Sequence, residues 1–397
     1  MPENIYTIII VLTGFALLIL GLNIHEAAPF LGFVLAGAGG MYALQRGGWL
    51  LKAGELIKRT RRTYYASLAL CLLAYPLIFT WLQSPYWIHV ATLAGVYVCL
   101  ALGLNVVVGF VGLLDLGYVA FYAIGAYSSA IFFHHFPQAR WAFWLLLPAT
   151  ALLAGIIGLC LGSSSLRLRG DYLAIVTLGF GEITRIILTN WDTLTNGPKG
   201  ISGIPGPVIA RYSFDKTPGF GLPRVANYYF LIILLACAIG MAADRLNHSR
   251  IGRAWMAIRE DALAAESLGI NVTVIKLLAF AVGAGFAAMG GVVYSSLIGF
   301  VDPMSFTFME SAMILCMVVL GGMGSIPGVI IGAIVLVVLP EKLRDFQQYR
   351  MLIFGAALIM MMIFRPQGLI PSRRRKQELL EEEDESGTPA FEHPPLE

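Results

Sequence analysis

Up to residue 371 the chain is cut by short polar stretches into apolar runs, most of them near the length of a membrane-crossing helix. Windows fall at roughly 6–23, 29–45, 66–83, 88–109, 113–134, 142–163, 171–190, 226–243, 273–298, 308–322, 325–340 and 350–364. A helix needs about 20 apolar residues to cross a hydrocarbon core about 30 Å thick. In that medium every backbone N–H and C=O must find a partner within the protein, so only helices and closed barrels span it. The runs have helical lengths, not the alternating ten-residue pattern of a barrel strand. The expectation is an all-α, polytopic membrane bundle of about 10–12 segments. Glycine is dense in 29–45, 113–134 and 308–322, the least securely placed windows, and some of the twelve segments are expected to be re-entrant rather than spanning. Composition agrees: 58% of the residues are hydrophobic and 13% charged, whereas soluble domains carry about 25% charged residues.

Basic residues set an expected orientation. With both termini in the cytoplasm, the inner loops hold Arg46, Lys52, Lys58, Arg59, Arg61 and Arg62, then Arg167 and Arg169. They also hold Arg245, Arg250, Arg253 and Arg259, and finally Arg365, Arg373, Arg374, Arg375 and Lys376. That is an inside excess of about two to one, in the direction of the positive-inside rule. The start, MPENIYT, lacks the basic n-region of a secretory signal, so the first run reads as an uncleaved span. Residues 1–65 then comprise N-terminal spans and a basic loop, and 66–371 the main transmembrane domain. The tail 372–397, RRRK followed by an acidic run, is expected to be disordered.

A polar island, RIGRAWMAIREDALAAESLGIN at 250–271, lies between two apolar runs. Trp255, Ile258, Ala262, Ala265 and Gly269 recur three and four apart, which places them on one face of a helix. Arg259, Glu260, Asp261 and Glu266 flank that stripe, and Arg253 precedes it. Mixed charge suits a soluble partner better than a lipid surface, which favours a Lys/Arg-rich polar face. A plain solvated loop helix is the alternative.

Charges within apolar runs are costly and mark candidate sites. Asp115 lies in GFVGLLDLGYVAFYAIGAY, with Asn105 before it and Tyr118 and Tyr122 after it. It reads either as a polar lining of a solute path or as the cap of a broken helix. Glu182 and Arg185, three apart, fit an intrahelical pair better than a ligand role. Asp171 suits a helix N-terminus, and Glu310 suits an interfacial anchor. The run GGMGSIPG at 321–328 should break a helix. Gly324, Gly328 and Gly332, like Gly158 and Gly162, are spaced for close helix packing, within this subunit or against a second one.

Several classes are excluded. A net charge of +3 gives no reason to expect nucleic acid. The five cysteines (Cys71, Cys99, Cys160, Cys237, Cys316) fall in apolar runs, where neither a disulfide framework nor metal-ligand spacing is expected. His134 and His135 have no third ligand nearby in sequence, so no metal is expected. There is no G-x-x-x-x-G-K-[ST] run, since GPKGIS lacks the spacing and the Lys-Ser pair, and no catalytic triad or Cys/His pairing stands out. No catalytic residue and no cofactor are expected.

Seven motifs in one order carry a resemblance: GLNVVVGFVGLLDLGYVAFYAIGAY at 103–127, LRLRGDYLAIVTLGFGEITRI at 166–186, NGPKGISGIP at 196–205, SLGI at 267–270, FVDPMSFTFMESA at 300–312, VVLGGMGSIPG at 318–328 and RPQGLIP at 365–371. Over roughly 88–371 the chain resembles the LivM-type permease subunit of high-affinity branched-chain amino acid ABC importers. That resemblance implies a bacterial inner-membrane subunit partnered by ABC ATPase subunits, a second LivH-type permease subunit and a periplasmic branched-chain amino acid binding protein. Transport would be by alternating access, with ATP hydrolysed in other polypeptides. It also implies a cytoplasmic coupling helix with the pattern Glu-Ala-Ala-x-x-x-Gly. Ala264, Ala265 and Gly269 fit it, whereas Leu263 stands where the Glu belongs; Glu260, Asp261, Arg253 and Arg259 are the charges expected to assist. Asn105, Asp115, Tyr118, Tyr122 and Glu182 are the candidate path residues. The alternatives are the same architecture carrying urea or a short amide, and an ion-coupled carrier using Asp115 and Glu182.

Overall fold

A computed structural model describes residues 2–24, 59–165, 171–209, 212–217, 222–342 and 368–370, with residues 355 and 359. The window 29–45, the window 350–364 apart from residues 355 and 359, and the tail 372–397 lie outside the described residues. So do Arg46, Lys52, Lys58, Arg167, Arg169, Arg365, Arg373, Arg374, Arg375 and Lys376.

Apolar windows become helices in the expected order: α1 (Pro2–Asn23), α2 (Arg61–Trp81), α3 (Tyr86–Leu104), α4 (Val119–His135), α5 (Phe143–Ser165), α6 (Asp171–Asn190), α7 (Asp192–Thr195), α8 (Val225–Asn247), α9 (Arg250–Glu260), α10 (Ala262–Ser267), α11 (Val272–Ile298), α12 (Phe308–Gly321) and α13 (Ile326–Lys342). The described sheet is limited to two-residue antiparallel pairs, β1 (Ile201–Ser202) with β4 (Phe300–Val301) and β2 (Val208–Ile209) with β3 (Tyr212–Ser213). Among the described residues, eight helical stretches are long and apolar enough to cross a membrane: α1, α2, α3 with its continuation, α5 with the turn before it, α6, α8, α11, and α12 with the turn before it. Helices α4 and α13, at 17 residues each, are shorter.

The breaks fall where the glycines are. Helix α3 does not stop at Leu104 but widens into a π-helical turn, Asn105–Phe110, and the chain then crosses 111–118 without helix before α4. Between α12 and α13, Gly322 and Gly324 take φ of +111° and +83°, which only glycine adopts at little cost. Two helices therefore end inside the bundle.

The core is organised around α11, which packs on α5, α4 and α3, while α8 and α13 pack on α3. Small residues allow this. A Cβ on Gly158 would meet Ala284 at 3.1 Å, and one on Gly332 would meet the Gly321 backbone at 2.8 Å. Ser129 and Ser295 join α4 to α11 by a hydroxyl pair at 2.7 Å. The Gly158/Gly162 and Gly328/Gly332 patterns thus serve packing within this chain. Cys160 and Cys237 are exposed on the outside of the bundle rather than buried in it.

Candidate functional site

The polar island folds as two helices, not one. Ser249 caps α9, its Oγ accepting from Gly252 N at 3.2 Å. After Glu260 the backbone becomes extended, and Asp261 Oδ1 accepts from Leu263 N at 2.8 Å and Ala264 N at 3.1 Å, capping α10. Asp is among the best N-caps because its carboxylate satisfies donors that the first helical turn leaves unpaired. Periodicity alone could not register that break, since Ala262 and Ala265 stay in phase with Trp255 and Ile258.

The apolar stripe faces the protein. Trp255 is fully buried, stacks on Phe110 and donates Nε1–H to Ile275 O at 2.8 Å. Ile258 and Ala265 are buried with it, while Gly269 is exposed. The opposite face presents Arg253, Glu260, Asp261, Ala264, Glu266, Leu263 and Leu268 to solvent. Leu263 is 66% and Leu268 80% exposed, so an apolar pair stands outward among carboxylates. Gly269 takes φ +83°, with no atom within 4 Å of a Cβ placed on it. Its N–H reaches Glu266 O at 2.9 Å and Ile270 N reaches Ala265 O at 3.1 Å, a left-handed helix stop.

Arg259 points the other way. It is half-buried, and its Nη1 donates to Gly109 O at 2.5 Å in the π-helical turn. Its stem packs on Gly112, where φ is +78°, and Nη1 lies beside Gly324. Asn105 Oδ1 accepts from Gly324 N at 2.8 Å. One guanidinium and one amide therefore tie α9 to both helix breaks. A hydrogen bond to a charged donor contributes about 1.5–3 kcal/mol, which fastens α9 to the end of the π-helical turn. Asn105 Nδ2 is buried without a partner.

Asp115 is fully buried in the 111–118 crossing. Its Oδ1 accepts from Gly117 N at 3.0 Å, and Oδ2 has no hydrogen-bond partner. The same crossing is stitched to three helices: Leu116 N to Thr177 Oγ1 at 3.0 Å on α6, Val119 N to Ser311 Oγ at 2.9 Å on α12, and Tyr118 Oη to Gly283 O at 3.0 Å on α11. Thr177 and Ser311, both fully buried, were not singled out by the sequence; their signal was a hydroxyl inside an apolar window. Glu182 is paired with Arg185 at 2.9 Å on one helix face.

Tyr122 sits in a different cluster, against Tyr294 and Phe306. Glu310, expected as an interfacial anchor, is half-buried there and accepts from Tyr97 Oη at 2.9 Å. The structure thus separates Tyr122 from the Asn105–Arg259 junction and joins it to residues the sequence did not connect.

Comparison with known proteins adds a family. Residues 86–363 match the family described as "Branched-chain amino acid transport system / permease component". The chain is 46% identical, over 82% of its length and 78% of the relative's, to the high-affinity branched-chain amino acid transport system permease protein LivM of Escherichia coli (strain K12). It is 27% identical, over 70% of its length and 92% of the relative's, to the corresponding LivH protein of Salmonella typhimurium. The BraD permease protein of Pseudomonas aeruginosa is 28% identical over 74% of this chain. No solved structure matches.

Proposed function

Since the chain belongs to the permease-component family of branched-chain amino acid transport systems, we propose that it is one permease subunit of an ATP-driven importer of leucine, isoleucine and valine in a bacterial inner membrane. The observation that carries this reading is the α9–α10 platform. Its apolar face is anchored in the bundle through Trp255, its outer face is presented to solvent, and Arg259 links it to the first helix break, which Asn105 joins to the second. A carrier that works alone has no use for such a lever.

In this reading an ATPase subunit docks on the outer face of α10. There Leu263 and Leu268 supply apolar area and Glu260, Glu266 and Arg253 set charge complementarity. Asp261 contributes by holding the helix start, and Arg259 by transmitting movement inward. The second permease subunit, related to the LivH proteins, completes the path, and a periplasmic binding protein delivers the solute. Residues 66–371 form the permease domain; residues 1–65 are an N-terminal addition. With Glu182 held by Arg185, the ion-coupled carrier loses one of its coupling groups.

The test is reconstitution. Liposomes holding this chain with its sister permease, ATPase subunits and binding protein should accumulate leucine when given ATP, and liposomes holding this chain alone should neither accumulate it nor hydrolyse ATP. ATP-driven uptake by the single polypeptide would sink the reading, as would a complete complex that imports none of the three amino acids.

A further inference from the structure

Glu310 is a carboxylate placed within the bundle without a matching positive charge. It lies in the first turn of α12, where a helix N-terminus tolerates an acid. That position accounts for a carboxylate turned to water, not for one set among aromatic rings. Tyr97 on α3 donates to Oε2 at 2.9 Å. Tyr122 on α4 and Tyr294 on α11 complete the wall, with ring centroids 5.4 Å apart, and Phe306 closes on Tyr122 at 5.1 Å. Tyr97, Tyr294 and Glu310 are each half-buried, so the cluster has an open side. No ion pair joins Glu310 to another described residue. Asp302, near Tyr294, adds a second negative group rather than a counter-charge.

Four helices have thus brought a lone acid and three tyrosines to one opening. A carboxylate beside a cluster of aromatic rings complements an ammonium group. The charge attracts it, neighbouring aromatic rings attract it further, and no basic residue among those described pairs with Glu310. The location suits an entry. Tyr294 lies one turn before the C-terminus of α11, while the α9–α10 platform adjoins its N-terminus.

We propose that Glu310 and Tyr97, walled by Tyr122, Tyr294 and Phe306, form an ammonium-binding subsite that takes the α-amino group of the solute at the end of the bundle away from α10. This deepens the amino-acid permease reading and rests on it. The solute's carboxylate and branched side chain are left to the rest of the path, so the subsite selects for a primary amine and not for side-chain shape.

The experiment uses the complete complex in liposomes with a saturating, leucine-loaded binding protein, and reads leucine uptake and ATP hydrolysis side by side. Glu310→Gln keeps size and the Tyr97 contact but removes the charge. It should lower uptake about tenfold while binding-protein-stimulated ATP hydrolysis continues, so that leucine carried per ATP falls. Glu310→Asp should restore much of that ratio. Leucine per ATP unchanged in Glu310→Gln would overturn the subsite, and so would uptake and hydrolysis falling in parallel, which marks a purely structural acid or one paired with the sister subunit. A wild-type complex that imports no leucine, isoleucine or valine would instead overturn the functional reading beneath it.

Discussion

Asp115 shows how one buried side chain divides its work between two atoms. Oδ1 closes a turn by accepting from Gly117 N, and Oδ2 is buried and unpartnered. An unpaired charge at membrane depth costs about 2.5–3.5 kcal/mol on insertion scales, so the turn must be worth holding. It sets the crossing that Thr177, Ser311 and Tyr118 fasten to three helices. Asparagine keeps the Oδ1 acceptor; leucine leaves Gly117 N–H without one, a loss of about 1–3 kcal/mol. Asp115→Asn should therefore retain part of the uptake of the assembled complex, and Asp115→Leu should lose it. Equal loss in both variants at normal assembly would make the charge itself part of the solute path. The sequence pointed to this residue because a carboxylate in an apolar run is conspicuous. It did not point to Thr177 or Ser311, because hydroxyls are common in membrane helices and only the fold shows which of them meet a broken backbone.

At the scale of the element, α10 ends as sharply as it begins. The Asp261 cap starts it, and Gly269, at φ +83°, stops it. A Cβ on Gly269 would meet nothing within 4 Å, so the constraint is conformational and not steric. A left-handed backbone costs an ordinary residue roughly 1–2 kcal/mol, and a β-branched one more. Gly269→Val should shift the 268–271 turn, abolish uptake and weaken ATPase binding while membrane insertion stays normal. Gly269→Asn, a residue that accepts this conformation, should keep most of the activity. Normal uptake with valine would show that this helix stop does not matter for coupling. Much of the platform was legible: spacing picked out Trp255, Ile258 and Ala265, all buried. Spacing places Arg259 beside the stripe but does not reveal what it touches within the chain. Its partner is a backbone carbonyl 150 residues away in sequence, and no local pattern encodes that.

At the scale of the whole molecule, the helix directions place Asn4 and Ile370 at the α9 end of the bundle. Helix α3 runs from Tyr86 to the Gly109 contact with Arg259, about 36 Å of helix. Lys342, at the far end of α13, donates to Leu22 O at 2.6 Å and Ile24 O at 2.7 Å and lies over the Trp87 ring. The C-terminus of α1 therefore adjoins the start of α3, and its N-terminus lies at the other end, where Thr63 donates to Asn4. Leu369 N and Ile370 N return to Leu320 O and Gly321 O beside the second helix break, near α9. That end carries Arg245, Arg250, Arg253 and Arg259. At the opposite end Arg140 and Arg224 are drawn onto Asp215. The parity of the apolar windows leads to the expectation of a shared side, but not to which windows cross fully; that depends on where two broken helices meet. Since basic residues near span ends are retained in the cytoplasm, both termini should face it. A reporter that folds only in the periplasm, fused after Arg375, should stay inactive, whereas one placed in the 212–217 segment should be active. The reverse pattern would invert the bundle and put α10 out of reach of any ATPase.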